Sequence, residues 1–194
     1  PLLALTKSLT LEAFIRPRSG GSGDWNWGQI IFRGDDRGGL DPYFLGLNQN
    51  TLYFVIEQGN DPGQYAVLAY GIQLFDTWMH VAGTLDDATG AMSLFVDGVS
   101  VASMTTSVRP LGALTGPNPG IGIGSSQAGG TEETFNGLID EVRISDVALQ
   151  PSQFLDASPS PVPEIDPAGL ASVLTLVAGV LGVVERRRTV RVVA

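Results

Sequence analysis

The sequence predicts an all-β domain, a sandwich, jelly roll or barrel of short strands, followed by a hydrophobic C-terminal segment. Its 194 residues include 25 glycines and 12 prolines, and only 16% are charged, which suits a chain rich in strands and turns. Apolar runs that alternate with a period of two recur along the chain, and turn residues separate them. Only Asp146–Phe154 has a helical pattern, and it is short. Many short strands without helical periodicity pack as two layers or close into a barrel.

The first part of the chain contains four predicted strands: Leu9–Arg16, Gln29–Arg33, Tyr43–Leu47 and Leu52–Glu57. The first of them alternates apolar and polar side chains, so one of its faces is apolar. The last two flank Asn48-Gln49-Asn50, a sequence that suits a hairpin connection. We therefore expect the third and fourth strands to pair with each other.

The second part of the chain adds further strands. Trp78–Leu85 is one, and Met92–Val96 and Val99–Val101 flank the dipeptide Asp97-Gly98. An Asp-Gly pair accepts the positive φ angles of a two-residue turn, so this is the clearest hairpin in the chain. Two sheets are predicted to pack through apolar side chains from these runs and from a last strand: Leu11, Phe54, Val81, Leu94, Val96, Leu138 and Val142.

Charge and composition argue against several classes of function. The net charge of −9 at pH 7 does not suit a nucleic-acid binder, because phosphate contacts need clustered Lys and Arg. The chain has no cysteine, and therefore neither a disulfide framework nor a thiolate metal site. Its single histidine, His80, does not suit zinc catalysis. Because His80 lies on a predicted strand beside Trp78, we expect a packed, hydrogen-bonded structural residue.

Four segments follow one another in an order that carries a family resemblance. They are Leu9–Pro17, the Trp-x-His-Val-Ala-x-Thr-x-Asp strand Trp78–Asp86, the hairpin Ser93–Gly98 and the last strand Phe135–Ile144. Together they resemble the laminin-G-like, concanavalin A-like jelly-roll domains of bacteria. The resemblance implies two stacked antiparallel sheets in a domain of residues 1–156. Family members usually carry one more strand before the first segment, and only eight residues precede it here.

Asp140 is the candidate metal ligand. Strict alternation along the last strand would place it on the core face with Val142, where an unpaired carboxylate is very costly. Calcium, with its hard oxygen ligands and flexible geometry, fits such a site, and related jelly rolls often hold a structural Ca²⁺ with this Asp. Candidate partners lie in the early loops: Asp24, Asp35, Asp36 and Asp41. Alternatively, Asp140 only accepts backbone N–H groups. Glu141 and Arg143 are expected on the opposite face as a solvated pair.

Trp25 and Trp27 are the candidate ligand-binding residues. They follow the Gly-rich segment Gly20–Asp24 and lie two positions apart. An exposed tryptophan can stack on a sugar ring, and its polar edge suits a wet surface. Burial under a neighbouring loop is the alternative.

The choice between an enzyme and a binding module depends on carboxylates. Retaining glycoside hydrolases share the concanavalin A-like fold and need two carboxylates about 5 Å apart. Those enzymes carry them on one strand as Glu-x-Asp-x-Glu, a pattern that this sequence lacks. The adjacent pairs Glu132-Glu133 and Asp140-Glu141 would point to opposite faces of a strand. We therefore predict no catalytic residues and a module that binds carbohydrate or protein. A structural matrix protein without a discrete ligand and a glycoside hydrolase are the alternatives.

The C-terminal tail predicts a membrane segment. A Pro-rich linker, residues 157–167, leads into the uncharged run Ala168–Val184, and a basic tail of residues 185–194 follows. The run has 17 residues, at the short end of what a bilayer-spanning helix needs. Arg186, Arg187 and Arg188 mark the cytoplasmic side, so the domain is expected on the other side.

The order of Val162-Pro163-Glu164, apolar run and Arg cluster is similar to the PEP-CTERM sorting signal of Gram-negative bacteria, in its planctomycete-like variant. The tripeptide here is Val-Pro-Glu instead of Pro-Glu-Pro. The resemblance implies an exosortase as processing partner, which removes the tail and passes the protein to the cell surface or extracellular matrix. A permanent anchor is the alternative. Since an export tail normally accompanies an N-terminal signal peptide, we expect the N-terminus at Pro1 to be trimmed or incomplete.

Overall fold

The computed structural model describes residues 3–18, 27–34, 40–59, 61, 63–73, 75–116, 120–126 and 133–155, which form ten strands and a single 3₁₀ turn. The strands are β1 (Leu9–Pro17), β2 (Trp27–Gly34), β3 (Tyr43–Asn48), β4 (Thr51–Glu57), β5 (Tyr65–Gly71), β6 (Met79–Leu85), β7 (Ala91–Val96), β8 (Val99–Thr105), β9 (Gly120–Ile123) and β10 (Gly137–Ser145). The 3₁₀ turn, Pro151–Gln153, lies where the sequence predicted a short helix. The predicted all-β class is confirmed.

The strands form two antiparallel sheets of five strands each. The first sheet has the order β10-β1-β6-β7-β8, and the second has the order β5-β4-β3-β2-β9. Both predicted hairpins are present, β3 with β4 and β7 with β8. In the second hairpin Asp97 and Gly98 have φ angles of 49° and 73°, as a type I′ turn requires. The predicted two-sheet sandwich is confirmed.

The core consists of apolar side chains from the inner faces of both sheets. The fully buried ones include Leu9, Leu11, Ile15, Tyr43, Leu45, Leu52, Phe54, Ile56, Val81, Leu85 and Leu94. Of the predicted core, Leu11, Phe54, Val81 and Leu94 are confirmed, and Val96 and Val142 pack at its margin. Leu138 is 43% exposed, so its assignment to the core was wrong.

A β-bulge in β10 explains the position of Leu138. One residue of β1, Ala13, faces two residues of β10, Glu141 and Val142. Glu141 has a φ of 46°, a left-handed backbone that accommodates the extra residue. The insertion reverses the alternation along the strand, so Ile139 instead of Leu138 packs against the core.

A second bulge lies in β2. Gln29 pairs with Gly46 and Ile31 pairs with Leu45, so Ile30 is the extra residue. Strict alternation would place Gln29 and Ile31 on one face. The bulge separates them, and Gln29 turns to the outer face of the second sheet while Ile31 stays in the core.

The predicted tail lies outside the described residues. The chain divides into two units, Pro1–Ala157 and Ser158–Ala194, and all described residues belong to the first. In the part of the chain that the structure describes, no helix is both long and apolar enough to cross a membrane. The predicted span, Ala168–Val184, and the sorting residues on either side of it are not among these residues.

Candidate functional site

The outer face of the second sheet carries an aromatic cluster that is separate from the main core. Its members are Trp27, Phe32, Phe44, Tyr53 and Val55. The Trp27 ring centroid lies 5.7 Å from that of Phe44, edge to face, and 5.1 Å from that of Tyr53. Phe32, Phe44 and Val55 are buried, whereas Trp27 and Tyr53 are half-buried. An indole and a phenol ring therefore form the accessible part of an apolar platform.

Gln29 lies beside the aromatic cluster in a row of outward-facing residues, with Gly46 between it and Tyr53. A Cβ atom at position 46 would lie 2.6 Å from Gln29 Oε1, so the glycine leaves room for the carboxamide. Gln29 is only 2% exposed, and its Oε1 has no hydrogen-bond partner among the described residues. A buried carbonyl oxygen without a donor is costly.

Glu133 is held next to Gln29 by two hydrogen bonds. Gln29 Nε2 donates to Glu133 Oε2 at 3.0 Å, and the Gln29 backbone N–H donates to the Glu133 carbonyl at 2.9 Å. The φ of 52° at Glu133 is in the left-handed region, which non-glycine residues rarely adopt. A defined pair of polar groups, one amide and one carboxylate, therefore adjoins the aromatic rings.

A second carboxylate lies further along the same face. Glu57 follows Tyr53 and Val55 on the outward side of β4, and its Oε2 accepts the backbone N–H of Asp41 at 2.9 Å. Burial raises the pKa of Glu57, and the Asp41 N–H only partly opposes that effect. Burial and this hydrogen bond hold the carboxyl group in place beside the platform.

The outer face of the first sheet holds a different polar network, centred on two buried side chains. Glu12 and His80 are 0% and 1% exposed, and His80 Nε2 lies 2.9 Å from Glu12 Oε2. Arg143 Nε donates to Glu12 Oε1 at 2.5 Å, and the Leu155 N–H donates to Oε2 at 2.9 Å. The prediction that His80 is packed and hydrogen-bonded is confirmed. The expected Glu141–Arg143 pair was wrong, because Arg143 reaches Glu12.

These contacts also determine the pKa of Glu12. Burial raises the pKa, but the hydrogen bonds from His80, the Leu155 N–H and Arg143 outweigh burial and hold it below its ordinary value. The carboxylate therefore stays ionised at neutral pH. Both of its oxygens accept hydrogen bonds from the chain itself, so we assign this network to stability and not to ligand binding.

The C-terminal segment, residues 146–155, lies across this network and is held there by hydrogen bonds and ring contacts. Thr10 Oγ1 donates to the Val147 carbonyl at 2.7 Å and accepts the Leu149 N–H at 2.9 Å. The Phe154 ring centroid lies 5.4 Å from that of His80 and 5.1 Å from that of Phe95. The segment therefore covers part of the outer face of the first sheet.

The structure corrects the placement of Asp140. The bulge at Glu141 turns Asp140 outward, where it is exposed and its Oδ1 accepts the Glu141 N–H at 2.9 Å. The predicted core-facing carboxylate was wrong. The described residues contain no group of three His, Cys, Asp or Glu side chains that could hold a metal ion. Of the other candidate ligands, Asp24, Asp35 and Asp36 lie outside the described residues, as does Trp25. Asp41 is described, and its backbone N–H donates to Glu57 Oε2 at 2.9 Å.

Sequence reasoning named Trp27 but missed the rest of the site. A signal was present in β4, where Leu52–Ile56 is continuously apolar and therefore typical of a strand covered on both faces. That pattern could have identified Tyr53. No local signal joins Gln29 to Glu133, because 104 positions separate them in the sequence.

Comparison with known proteins identifies the family to which the fold belongs. The laminin G family model described as the concanavalin A-like lectin/glucanases superfamily matches residues 1–153. No curated protein matches the chain. The CBM40 of Ruminococcus gnavus IT-sialidase, bound to α2,3-sialyllactose, is 15% identical with a TM-score of 0.63, covering 77% of this chain and 80% of that one.

Two other solved structures share the fold over part of their length. Domains LG4-5 of the mouse laminin α1 chain are 18% identical with a TM-score of 0.53, covering 80% of this chain and 40% of theirs. The leech intramolecular trans-sialidase complexed with 2,7-anhydro-Neu5Ac is 16% identical with a TM-score of 0.62, covering 77% and 23%. The predicted laminin-G-like resemblance is confirmed, and the chain belongs to the concanavalin A-like lectin/glucanase superfamily.

Proposed function

We propose that the domain is a non-catalytic glycan-binding module and that the outer face of its second sheet is the binding surface. The observation that carries the proposal is the aromatic cluster, whose half-buried Trp27 and Tyr53 rings adjoin the hydrogen-bonded pair of Gln29 and Glu133. Aromatic rings pack against the C–H faces of a pyranose, and sugar hydroxyls donate hydrogen bonds to nearby acceptors. This combination of an apolar platform and converging acceptors suits a sugar ring.

The shared fold supports this proposal but is not sufficient evidence for it, because one fold hosts many functions. A structural relative holds sialyllactose, but at 15% identity its ligand does not transfer to this chain. A glycoside hydrolase is the enzyme alternative, and part of a trans-sialidase, 23% of its chain, has the same fold. The sequence has no Glu-x-Asp-x-Glu triplet, and this favours binding over hydrolysis.

A glycan array probed with the purified full chain, once with calcium and once with EDTA, tests the proposal. Every glycan that binds is then incubated with the protein and examined for cleavage. We expect binding without product. Cleavage of a bound glycan would show that the protein is an enzyme. Absence of binding to every glycan on the array would favour a protein partner or a structural matrix role.

We also propose that the module acts outside the cytoplasm, at the cell surface or in an extracellular matrix. The support is the C-terminal tail, with Val162-Pro163-Glu164, the uncharged run Ala168–Val184 and the arginines 186–188. An exosortase-like enzyme is the proposed processing partner. Mass spectrometry of the mature protein from its native host tests this, and an intact C-terminus through Ala194 would leave only a plain membrane anchor.

Calcium is the proposed structural ion. The Asp140 carboxylate is exposed and uses one oxygen for the Glu141 N–H, which leaves the other oxygen open to a cation. The described residues supply no further carboxylate cluster around it. The proposed further ligands are Asp41 and three residues outside the described part of the chain, Asp24, Asp35 and Asp36.

A further inference from the structure

We infer that the outer face of the second sheet selects neutral glycans and excludes anionic ones, such as sialylated, uronic-acid-containing or sulfated sugars. The inference rests on the proposed function and names the ligand class of the same surface. Two independent features carry it: the distribution of charge over the sheet and the hydrogen-bonding character of the groups beside the aromatic rings.

The sheet presents no positive charge to a ligand. Its five strands contain two charged residues, Arg33 and Glu57. Arg33 points inward, is 5% exposed, and donates to the carbonyls of Leu111 and Gly112 at 2.8 and 2.7 Å. Glu57 faces outward. A carboxylate or sulfate on a sugar would therefore find no cationic partner on these strands, and would approach Glu57.

The polar groups beside the rings are mainly hydrogen-bond acceptors. Gln29 Oε1 is buried and has no donor among the residues that the structure describes, and the described contacts of the Glu133 carboxylate engage only Oε2. Because Gln29 Nε2 donates to Glu133, the carboxamide is oriented with its oxygen away from the carboxylate. Gly46 provides the space for that oxygen. A sugar hydroxyl can donate to the half-buried Glu133 carboxylate, whereas an ionised carboxylate or sulfate cannot.

The expected discrimination is large enough to measure. A ligand anion within roughly 5 Å of the Glu133 carboxylate is repelled strongly enough to weaken binding about tenfold or more at a protein surface. Salt screens this repulsion, so discrimination should increase as ionic strength falls. A hydroxyl that donates to Glu133 makes a charge-assisted hydrogen bond, whose loss also weakens binding about tenfold.

The test uses the full chain on an array of matched pairs, each neutral oligosaccharide beside its sialylated, uronylated or sulfated derivative. Binding is measured at low and at near-physiological salt. We expect the neutral member of each pair to bind about tenfold more tightly, with a wider gap at low salt. Glu133→Gln should weaken binding of the neutral member and narrow the gap. Glu141→Gln, which makes the same charge change at an exposed site on β10, should alter neither.

The outcomes separate this inference from the function on which it rests. Equal or tighter binding of the anionic members overturns the charge selectivity and leaves a glycan-binding module. Binding of neither class overturns both. If the neutral preference is present but Glu133→Gln leaves it unchanged, the assignment of Glu133 is overturned.

Discussion

At the scale of single residues, Glu12 is a side chain that contacts residues from distant parts of the sequence. Its carboxylate is buried and contacts His80 in β6, Arg143 in β10 and the N–H of Leu155 beyond the 3₁₀ turn. Ion pairs at the surface contribute little to stability, but a buried carboxylate with several donors is costly to disrupt. Glu12 therefore holds the C-terminal segment against the first sheet.

We predict that Glu12→Gln lowers the free energy of unfolding by about 2–3 kcal/mol, because an amide cannot replace a charged acceptor for three donors. Urea unfolding at pH 7 measures the loss. Glu141→Gln, at an exposed position of β10, is the matched control and should change the free energy by no more than about 0.5 kcal/mol. Equal effects in the two variants would contradict the role of Glu12.

The same carboxylate predicts a pH dependence. Its pKa in the folded protein is below the ordinary value of 4.5, so its contribution is complete above that value and is lost as pH falls through the folded pKa. The difference in stability between the wild type and Glu12→Gln should therefore be constant near neutral pH and shrink below about pH 4.5. Unfolding curves at stepwise lower pH measure it, and a gap that grows on acidification would reverse the assignment.

At the scale of elements, the bulges in β2 and β10 show where sequence reasoning succeeds and fails. Alternation and turn residues correctly located β1, the β3–β4 hairpin and the β7–β8 hairpin. The extra residues, Ile30 in β2 and Glu141 in β10, reverse the faces on either side of them. A bulge depends on how the neighbouring strand pairs, which a local pattern does not contain.

Two strands, β5 and β9, were not predicted because their sequences have weak β propensity. β9, with the sequence Gly-Ile-Gly-Ile, is short and half glycine, and glycine is depleted in strands. β5 lies at the edge of the second sheet, and Ala66 and Ala69 weaken its β pattern. Pairing with β2 and β4 stabilises these strands despite their weak propensity.

The C-terminal segment is the element whose removal should matter most for the first sheet. We predict that Phe154→Ala destabilises the fold by about 2 kcal/mol, because its ring packs against His80 and Phe95 while remaining partly exposed. Thermal or urea unfolding measures the change. Ser152→Ala, an exposed position in the 3₁₀ turn, is the control, and an equal loss there would contradict the packing role of Phe154.

At the scale of the whole molecule, family motifs predicted the fold and composition predicted little of the site. The two-sheet sandwich follows from segments that each form one strand or hairpin. The proposed site instead combines β2, β3, β4 and the segment at Glu133, which meet only in three dimensions. Trp27 was identifiable as a large aromatic residue near a Gly-rich segment. Gln29 and Glu133 were not, because a polar pair 104 positions apart has no sequence signature.

Calcium binding, if present, would affect the stability of the whole domain. If Asp140 and the early Asp residues bind Ca²⁺, the ion stabilises the folded state through its differential affinity for it. We predict that millimolar Ca²⁺ raises the melting temperature of the full chain by a few degrees and that Asp140→Ala removes the shift. If neither Ca²⁺ nor EDTA changes the melting temperature, the calcium proposal is contradicted, and the role of Asp140 is limited to its hydrogen bond with the Glu141 N–H.

Glycan binding at the outer face of the second sheet is most directly tested by the dissociation constant of the best array glycan for matched aromatic variants. Tyr53→Ala removes a ring of the platform, and Trp78→Ala removes an exposed tryptophan, 42% accessible, just before β6. We predict that Tyr53→Ala weakens binding about tenfold while circular dichroism shows an unchanged fold, since one stacked ring contributes about 0.5–1.5 kcal/mol beyond its buried area. Trp78→Ala should bind like the wild type. Unchanged binding in Tyr53→Ala together with loss in Trp78→Ala would contradict the proposed site.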